Sequence, residues 1–389
     1  MKKSITAICI ILILVLLFAL SACKIDDSFV NPGDNLGGGG IGDIADNVDT
    51  SQTEDGIDKV ITDIDTDGAQ AGQIPDDAEI PDAIDNVITI TRSGAYTISG
   101  NYSQIVIDGS GLNVQLILNG ATIDNSNGVA IDGTSKGKKL TVTLTVVEGK
   151  VNTITNNGDS VNAVHIKGSL TVNGAGNLTV NSAGKSALKA SKGIIITQAN
   201  LSLTAVNHAI TGANVTATNC TINVASAGKD GINAECDDDI TEYVADDGYV
   251  YLKNVNYTCN VNGDGIQADT WLYVEGGSYA ITTDGTFVAN TSANMQKYGM
   301  TNDDFRYAKS GNTYKKLASD ETNRYSTRYG LVQSAKGFKV GEIDYTDETT
   351  NQEVTVTDGD YCIKIVSGNI TLNCSDDAIH TNSGDVIIS

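Results

Sequence analysis

Gly184-Lys185-Ser186-Ala187-Leu188, Val206-Asn207-His208-Ala209-Ile210 and Gly228-Lys229-Asp230-Gly231-Ile232 decide the fold, because each is a turn ending on an apolar residue and those apolar residues stand 22 positions apart. The same step separates Ile266, which ends Gly263-Asp264-Gly265-Ile266, from Val288 beyond Asp284-Gly285. Ile232 to Ile266 is 34 positions, read as the same unit carrying an insertion around Asp237–Gly248. Between the turns run short β-branched stretches such as Val114-Gln115-Leu116-Ile117-Leu118 and Leu140-Thr141-Val142-Thr143-Leu144. Their alternation and their Gly/Asn/Asp punctuation mark strands, and no helical period competes. A repeat of about 22 residues holding three short strands predicts an all-β parallel solenoid, one coil per repeat, with coils stacked about 4.8 Å apart.

Working outward, no proline follows Pro81. Proline would remove a ladder donor, so its absence suits strands paired on both sides. A leucine-rich repeat has a similar period but needs a leucine-and-asparagine pattern and a helical half, neither of which is present. A β-sandwich would show hairpin turns without this register. A second insertion is expected at Asn290–Arg328, rich in Tyr, Lys, Asn and Ser, as a loop or small flap. The chain stops at Ser389 within a strand-like run, Val386-Ile387-Ile388, so the solenoid is expected to be cut short there rather than capped.

The chain has 389 residues with 25 Lys+Arg against 48 Asp+Glu, a net charge of −23. That balance excludes a general nucleic-acid footprint, which needs clustered cations. Residues 1–22 read as an export signal: Lys2 and Lys3, then the apolar run Ile8–Leu20, too short for a stable span. Leu20-Ser21-Ala22-Cys23 resembles a bacterial lipobox, which implies acylation of Cys23 and anchoring of an outward-facing protein to the cell membrane. Residues 23–86 carry all three prolines, the Gly37–Gly40 run and a large acidic excess, and read as a flexible tether. The domain proper is then 87–389, expected to be a monomer.

Several stretches together resemble a family. They are Ser93-Gly94-Ala95-Tyr96-Thr97-Ile98-Ser99-Gly100, Leu116-Ile117-Leu118-Asn119-Gly120-Ala121, Gly228–Glu235, Gly263–Ala268 and Ser375-Asp376-Asp377-Ala378-Ile379-His380. In their order they are similar to the secreted carbohydrate-binding β-helix proteins of cellulolytic clostridia, whose fold is shared with polysaccharide lyases. The resemblance implies a right-handed parallel β-helix, bound Ca²⁺, and binding of cellulose or acidic pectin-type glycans. The coils at Ser186-Ala187 and His208-Ala209 depart from the family's Asp-Gly pair, which removes the expectation of calcium at those two levels.

Stacking places Asp230 and Asp264 about 5 Å apart, and two carboxylates that close disfavour joint ionisation unless a cation intervenes. Glu235, Asp237, Asp238, Asp239 and Asp269 follow the same turns and are candidates to complete a Ca²⁺ sphere or hold a second ion. Asp376 and Asp377 form a separate candidate. The competing reading gives turn aspartates the task of accepting backbone N–H groups. Trp271 and Tyr273 are candidate sugar platforms, against core or ladder packing. For β-elimination a base is required, and Lys229 and Lys189 qualify by position alone; His165, His208 and His380 stand apart without catalytic or metal-ligand spacing. Cys220, Cys236, Cys259, Cys362 and Cys374 are odd in number and lack a CxxC pair, so packing is their expected role. The functional expectation is calcium-dependent polysaccharide binding at the cell surface; the rivals are a polysaccharide lyase on the same scaffold and a structural or adhesive solenoid.

Overall fold

The computed structural model describes residues 72–134, 139–235, 247–285, 287–298, 307–310, 313–317, 329–341, 344–347, 352–355 and 361–389. Cys23, Cys236 and Asp237–Asp239 therefore lie outside the described residues.

The chain is almost wholly β, with one short helix at Ser292–Tyr298 among the described residues. Its strands stack in parallel on three faces. On the first face, Ile88, Ile105, Ile131, Val164, Leu188, Ile210, Ile232, Ile266, Phe338 and Ile379 pair in succession. On the second, Val114, Val142, Leu170, Ile194, Val215, Val250, Leu272, Ile363 and Val386 do the same. On the third, the succession is Ile123, Ile154, Val180, Leu203, Val224, Cys259, Ile281 and Leu372. Because alternate strand residues point to opposite sides, one aliphatic column per face turns inward. Most of these side chains are fully buried and form a single continuous core. Each buried Ile, Leu or Val contributes about 1.5–3 kcal/mol relative to exposure.

The second and third faces are joined by a sharp corner. In four long strands, Asn113–Asn125, Val250–Val261, Trp271–Thr283 and Cys362–Cys374, the chain runs through the corner without a break. Elsewhere the corner separates two short strands. It requires a left-handed backbone, found at Gly120, Gly174, Gln198, Asn219, Asn254 and Gly276. Glycine takes such a φ without cost, and asparagine tolerates it better than most residues.

The step of 22 residues is met at Leu188, Ile210 and Ile232. One expected step is corrected. Ile266 pairs not with Val288 but with Phe338. Phe287–Ala289 instead pairs antiparallel with Tyr329–Val332 in a separate four-stranded sheet that also holds Tyr307–Ser310 and Thr313–Lys316. The solenoid resumes at Ala335-Lys336-Gly337-Phe338, where lysine replaces the aspartate that marks the preceding turns. At the other end, part of the acidic stretch read as tether is ordered against the sheet: Glu79 N donates to Ala95 O and Thr97 N to Glu79 O, both at 2.8 Å, and Arg92 meets the Glu79 carboxylate at 3.3 Å.

Candidate functional site

Each first-face strand is entered through a turn whose key residue stands two positions before the core residue. Down the stack this position is held by Asn162, Ser186, His208, Asp230, Asp264, Lys336 and Asp377. Asp230 and Asp264 therefore do fall on consecutive levels of one column.

Their carboxylates are engaged by protein groups. Asp264 N donates to Asp230 Oδ1 at 2.6 Å, and Lys336 N donates to Asp264 Oδ1 at 2.7 Å. Asn162 does the same work lower in the column, where its Oδ1 accepts Ser186 N at 3.1 Å. The second oxygens face side-chain nitrogens. Lys339 Nζ lies 3.3 Å from Asp264 Oδ2. His208 Nδ1 lies 2.9 Å from Asp230 Oδ2, close but not aligned as a hydrogen bond. Burial raises the Asp264 pKa above the ordinary carboxylate value, with the Lys336 N–H and the Lys339 ammonium pulling the other way. A column that already supplies N–H donors, an imidazole and an ammonium to its carboxylates is a poor fit for Ca²⁺, which needs six to eight free oxygen ligands.

Asp376 and Asp377 are similarly occupied. Asp376 Oδ2 accepts from Ser334 Oγ at 2.5 Å and pairs with Lys336 Nζ at 3.2 Å, and its pKa is lowered chiefly by the serine hydroxyl. Asp377 Oδ2 lies 3.1 Å from His380 Nδ1, whose Nε2 lies 2.9 Å from Asn382 Oδ1.

Glu235 and Asp269 stand at the opposite end of the three-residue strands Ile232–Ala234 and Ile266–Ala268. The strand Ile232–Ala234 between Asp230 and Glu235 alone spans about 10 Å, which sets the two pairs at opposite ends of it. Glu235 is exposed and accepts Asn233 Nδ2 at 3.1 Å. Asp269 N donates to Ala234 O and Gly248 O, which ties the trailing turn to the returning chain. Among the described residues, no group of three or more His, Cys, Asp or Glu side chains has metal-holding geometry.

The aromatics fall on the outer side of the second face, opposite the core residues Leu272 and Val274. Trp271 is 2% exposed and lies parallel on Tyr249, with ring centroids 4.4 Å apart and 2° between planes. Tyr273 is 8% exposed, stacks on Tyr251 at 5.4 Å and has Lys364 Nζ 5.8 Å from its ring centre. Neither ring presents an open face. Tyr251 donates to Glu275 Oε2 at 3.2 Å, and Lys253 Nζ pairs with Glu275 Oε1 at 3.2 Å.

Of the candidate bases, Lys189 projects from the first face beside His165, whose pKa is lowered by burial first and by Lys189 second. Lys229 is exposed. Cys220, Cys259 and Cys374 are free thiols; burial pushes Cys220 and Cys259 up to about 12, which keeps them protonated and unreactive. Lys336, Lys339 and the His208 contact escape sequence reasoning. Their signal was the column itself, legible once Ala335-Lys336-Gly337-Phe338 is aligned with the Asp-Gly turns.

The fold and this column define a parallel β-solenoid with a hydrogen-bonded polar turn ladder. The chain belongs to a family of carbohydrate-binding domain-containing proteins, whose family model matches residues 84–389. A solved structure of a polysaccharide lyase-like protein from C. thermocellum, a gadolinium derivative, aligns with a TM-score of 0.46 and 24% identity over 55% of this chain and 88% of that one. No curated protein matches.

Proposed function

We propose that this is an exported polysaccharide-binding protein, held to the bacterial membrane through acylated Cys23 and presenting a right-handed, monomeric β-helix to plant cell-wall glycan. The observation that carries the reading is family membership across residues 84–389, which covers every described face of the solenoid. The lipid anchor and the tether rest on the sequence of residues 1–86. Any calcium requirement is assigned to the trailing turns, to Glu235 and Asp269 together with Asp237, Asp238 and Asp239, which follow Glu235 closely in sequence. The leading turns are left out of it because their carboxylates already have donors. Adsorption of the full chain to insoluble cellulose and to pectin, with and without EDTA, tests both parts. Retention abolished by EDTA supports the calcium assignment. Retention unaffected by EDTA removes calcium and leaves binding. No retention in either condition defeats the polysaccharide reading.

A further inference from the structure

The corner between the second and third faces carries a feature the family assignment does not locate. Three successive levels make the left-handed bend with an amide residue instead of glycine: Gln198 at φ 53°, Asn219 at φ 49° and Asn254 at φ 52°. The levels on either side use Gly174 and Gly276. Glycine makes the same bend at the neighbouring levels, so the bend itself does not call for an amide side chain. These same three residues rim a concavity of about 430 Å³, whose floor is made by small side chains including Ala199 and Cys220 and whose third-face wall is Asn200, Thr221 and Asn256. With Ala175 on the preceding level the lining spans four levels, and three steps of about 4.8 Å give the groove a length of about 14 Å along the solenoid axis.

Its chemistry is uniform. Every polar lining side chain is a carboxamide or a hydroxyl, and none is charged. Much of that capacity is unused. Asn254 Nδ2 donates to Asn219 Oδ1 at 3.3 Å and Asn200 Nδ2 to Ala175 O at 3.1 Å. Among the described residues, Asn219 Nδ2, Asn254 Oδ1 and the whole Gln198 amide have no protein partner, and all three side chains are exposed. Carboxamides both donate and accept, which matches a chain of sugar hydroxyls. A uronate polymer would require cations here, and the lining has none.

The geometry points to this groove as a binding site for a neutral, hydroxyl-rich polysaccharide chain laid along the solenoid axis. The assignment rests on the polysaccharide-binding reading and adds its place and its charge class. The test is affinity electrophoresis of the full chain in gels containing hydroxyethyl cellulose or polygalacturonate, at low and high salt. The Asn219→Gly/Asn254→Gly variant removes two amides while giving the corner the residue that bends most easily, so the fold is kept and the melting temperature holds or rises. Retardation by hydroxyethyl cellulose, independent of salt and weakened about thirtyfold in the double variant, is the expected result, since two hydrogen bonds of about 1 kcal/mol each are lost. Thr258→Ala, on the third face outside the groove, leaves retardation unchanged. Equal retardation of parent and double variant, or retardation by polygalacturonate alone, overturns the groove assignment while polysaccharide binding stands. A parent retarded by neither polymer and retained by neither insoluble glycan brings down both.

Discussion

Asp264 separates a structural carboxylate from a metal ligand. Its Oδ1 accepts the Lys336 N–H and its Oδ2 faces Lys339, while burial raises its pKa. A raised carboxyl pKa means the folded state holds the proton more tightly than the unfolded state does. Stability from this group is then full below the ordinary value of 3.8 and is lost as pH rises through the folded value. Asp264→Asn keeps the acceptor and deletes the charge, so its melting temperature at neutral pH equals or exceeds the parent's, and the gain disappears in acid. Asp264→Ala orphans the Lys336 N–H and costs about 1–3 kcal/mol in denaturant melts. If a divalent ion sat on this turn, the asparagine variant would instead melt lower and lose any response to EDTA. His165 runs the other way with pH. Burial and Lys189 depress its pKa below 6.5, so the folded state binds fewer protons, and stability is present above that value and falls as pH drops below it. His165→Gln flattens that acid-side slope in a pH series of melts, and an unaltered slope would show that His165 is not the titrating group.

At the scale of the element, the turn ladder is set by what lies beneath it. Levels with Ala187 and Ala209 accept a methyl at the position where Gly231, Gly265 and Gly337 stand. At Gly231 a Cβ would come 2.1 Å from Tyr257 Oη and 2.6 Å from Gly265 O. Gly231→Ala therefore costs about 1–3 kcal/mol by overpacking, and Tyr257→Phe in the same chain returns part of that. Equal stability of Gly231→Ala and the parent in chemical denaturation would refute the packing account. The Asp-Gly pairs thus arise from two separate demands: the aspartate from the next level's N–H, the glycine from the side chain underneath, Tyr257 at Gly231 and Ile281 at Gly265. Periodicity revealed the pair but could not split its causes.

For the whole molecule, each level of the stack touches only the levels above and below it, so stability is a sum of neighbour terms and the ends fray first. Hydrogen exchange is expected to be slowest in the central strands around Leu188, Ile210 and Ile232, whose side chains are fully buried, and fastest at Asp385–Ile388, which is largely exposed. Uniform protection from end to end would contradict this. The outward side differs by face: a buried cluster of paired aromatics on the second and uncharged amides and hydroxyls at the corner of the second and third.

Much of the fold was legible because a stacked solenoid repeats one local instruction: an apolar residue after each turn, β-branched alternation between turns, no proline. The coincidence of Asp230 and Asp264 on one column was legible for the same reason. The excursion after Gly285 was not, since Val288 happens to sit one step beyond Ile266, and only strand pairing shows that Phe338 occupies that level. Nor could spacing reveal who holds each carboxylate, since Lys336 and Lys339 reach Asp264 from more than 70 positions away. The burial of Trp271 against Tyr249 is equally a product of neighbouring coils. Sequence by itself determined the recurring turn, the parallel strand class and the acidic character of the chain, all of which follow from local pattern. Only the tertiary structure decided which polar groups are already satisfied and which remain open, because that depends on donors and acceptors brought together across levels.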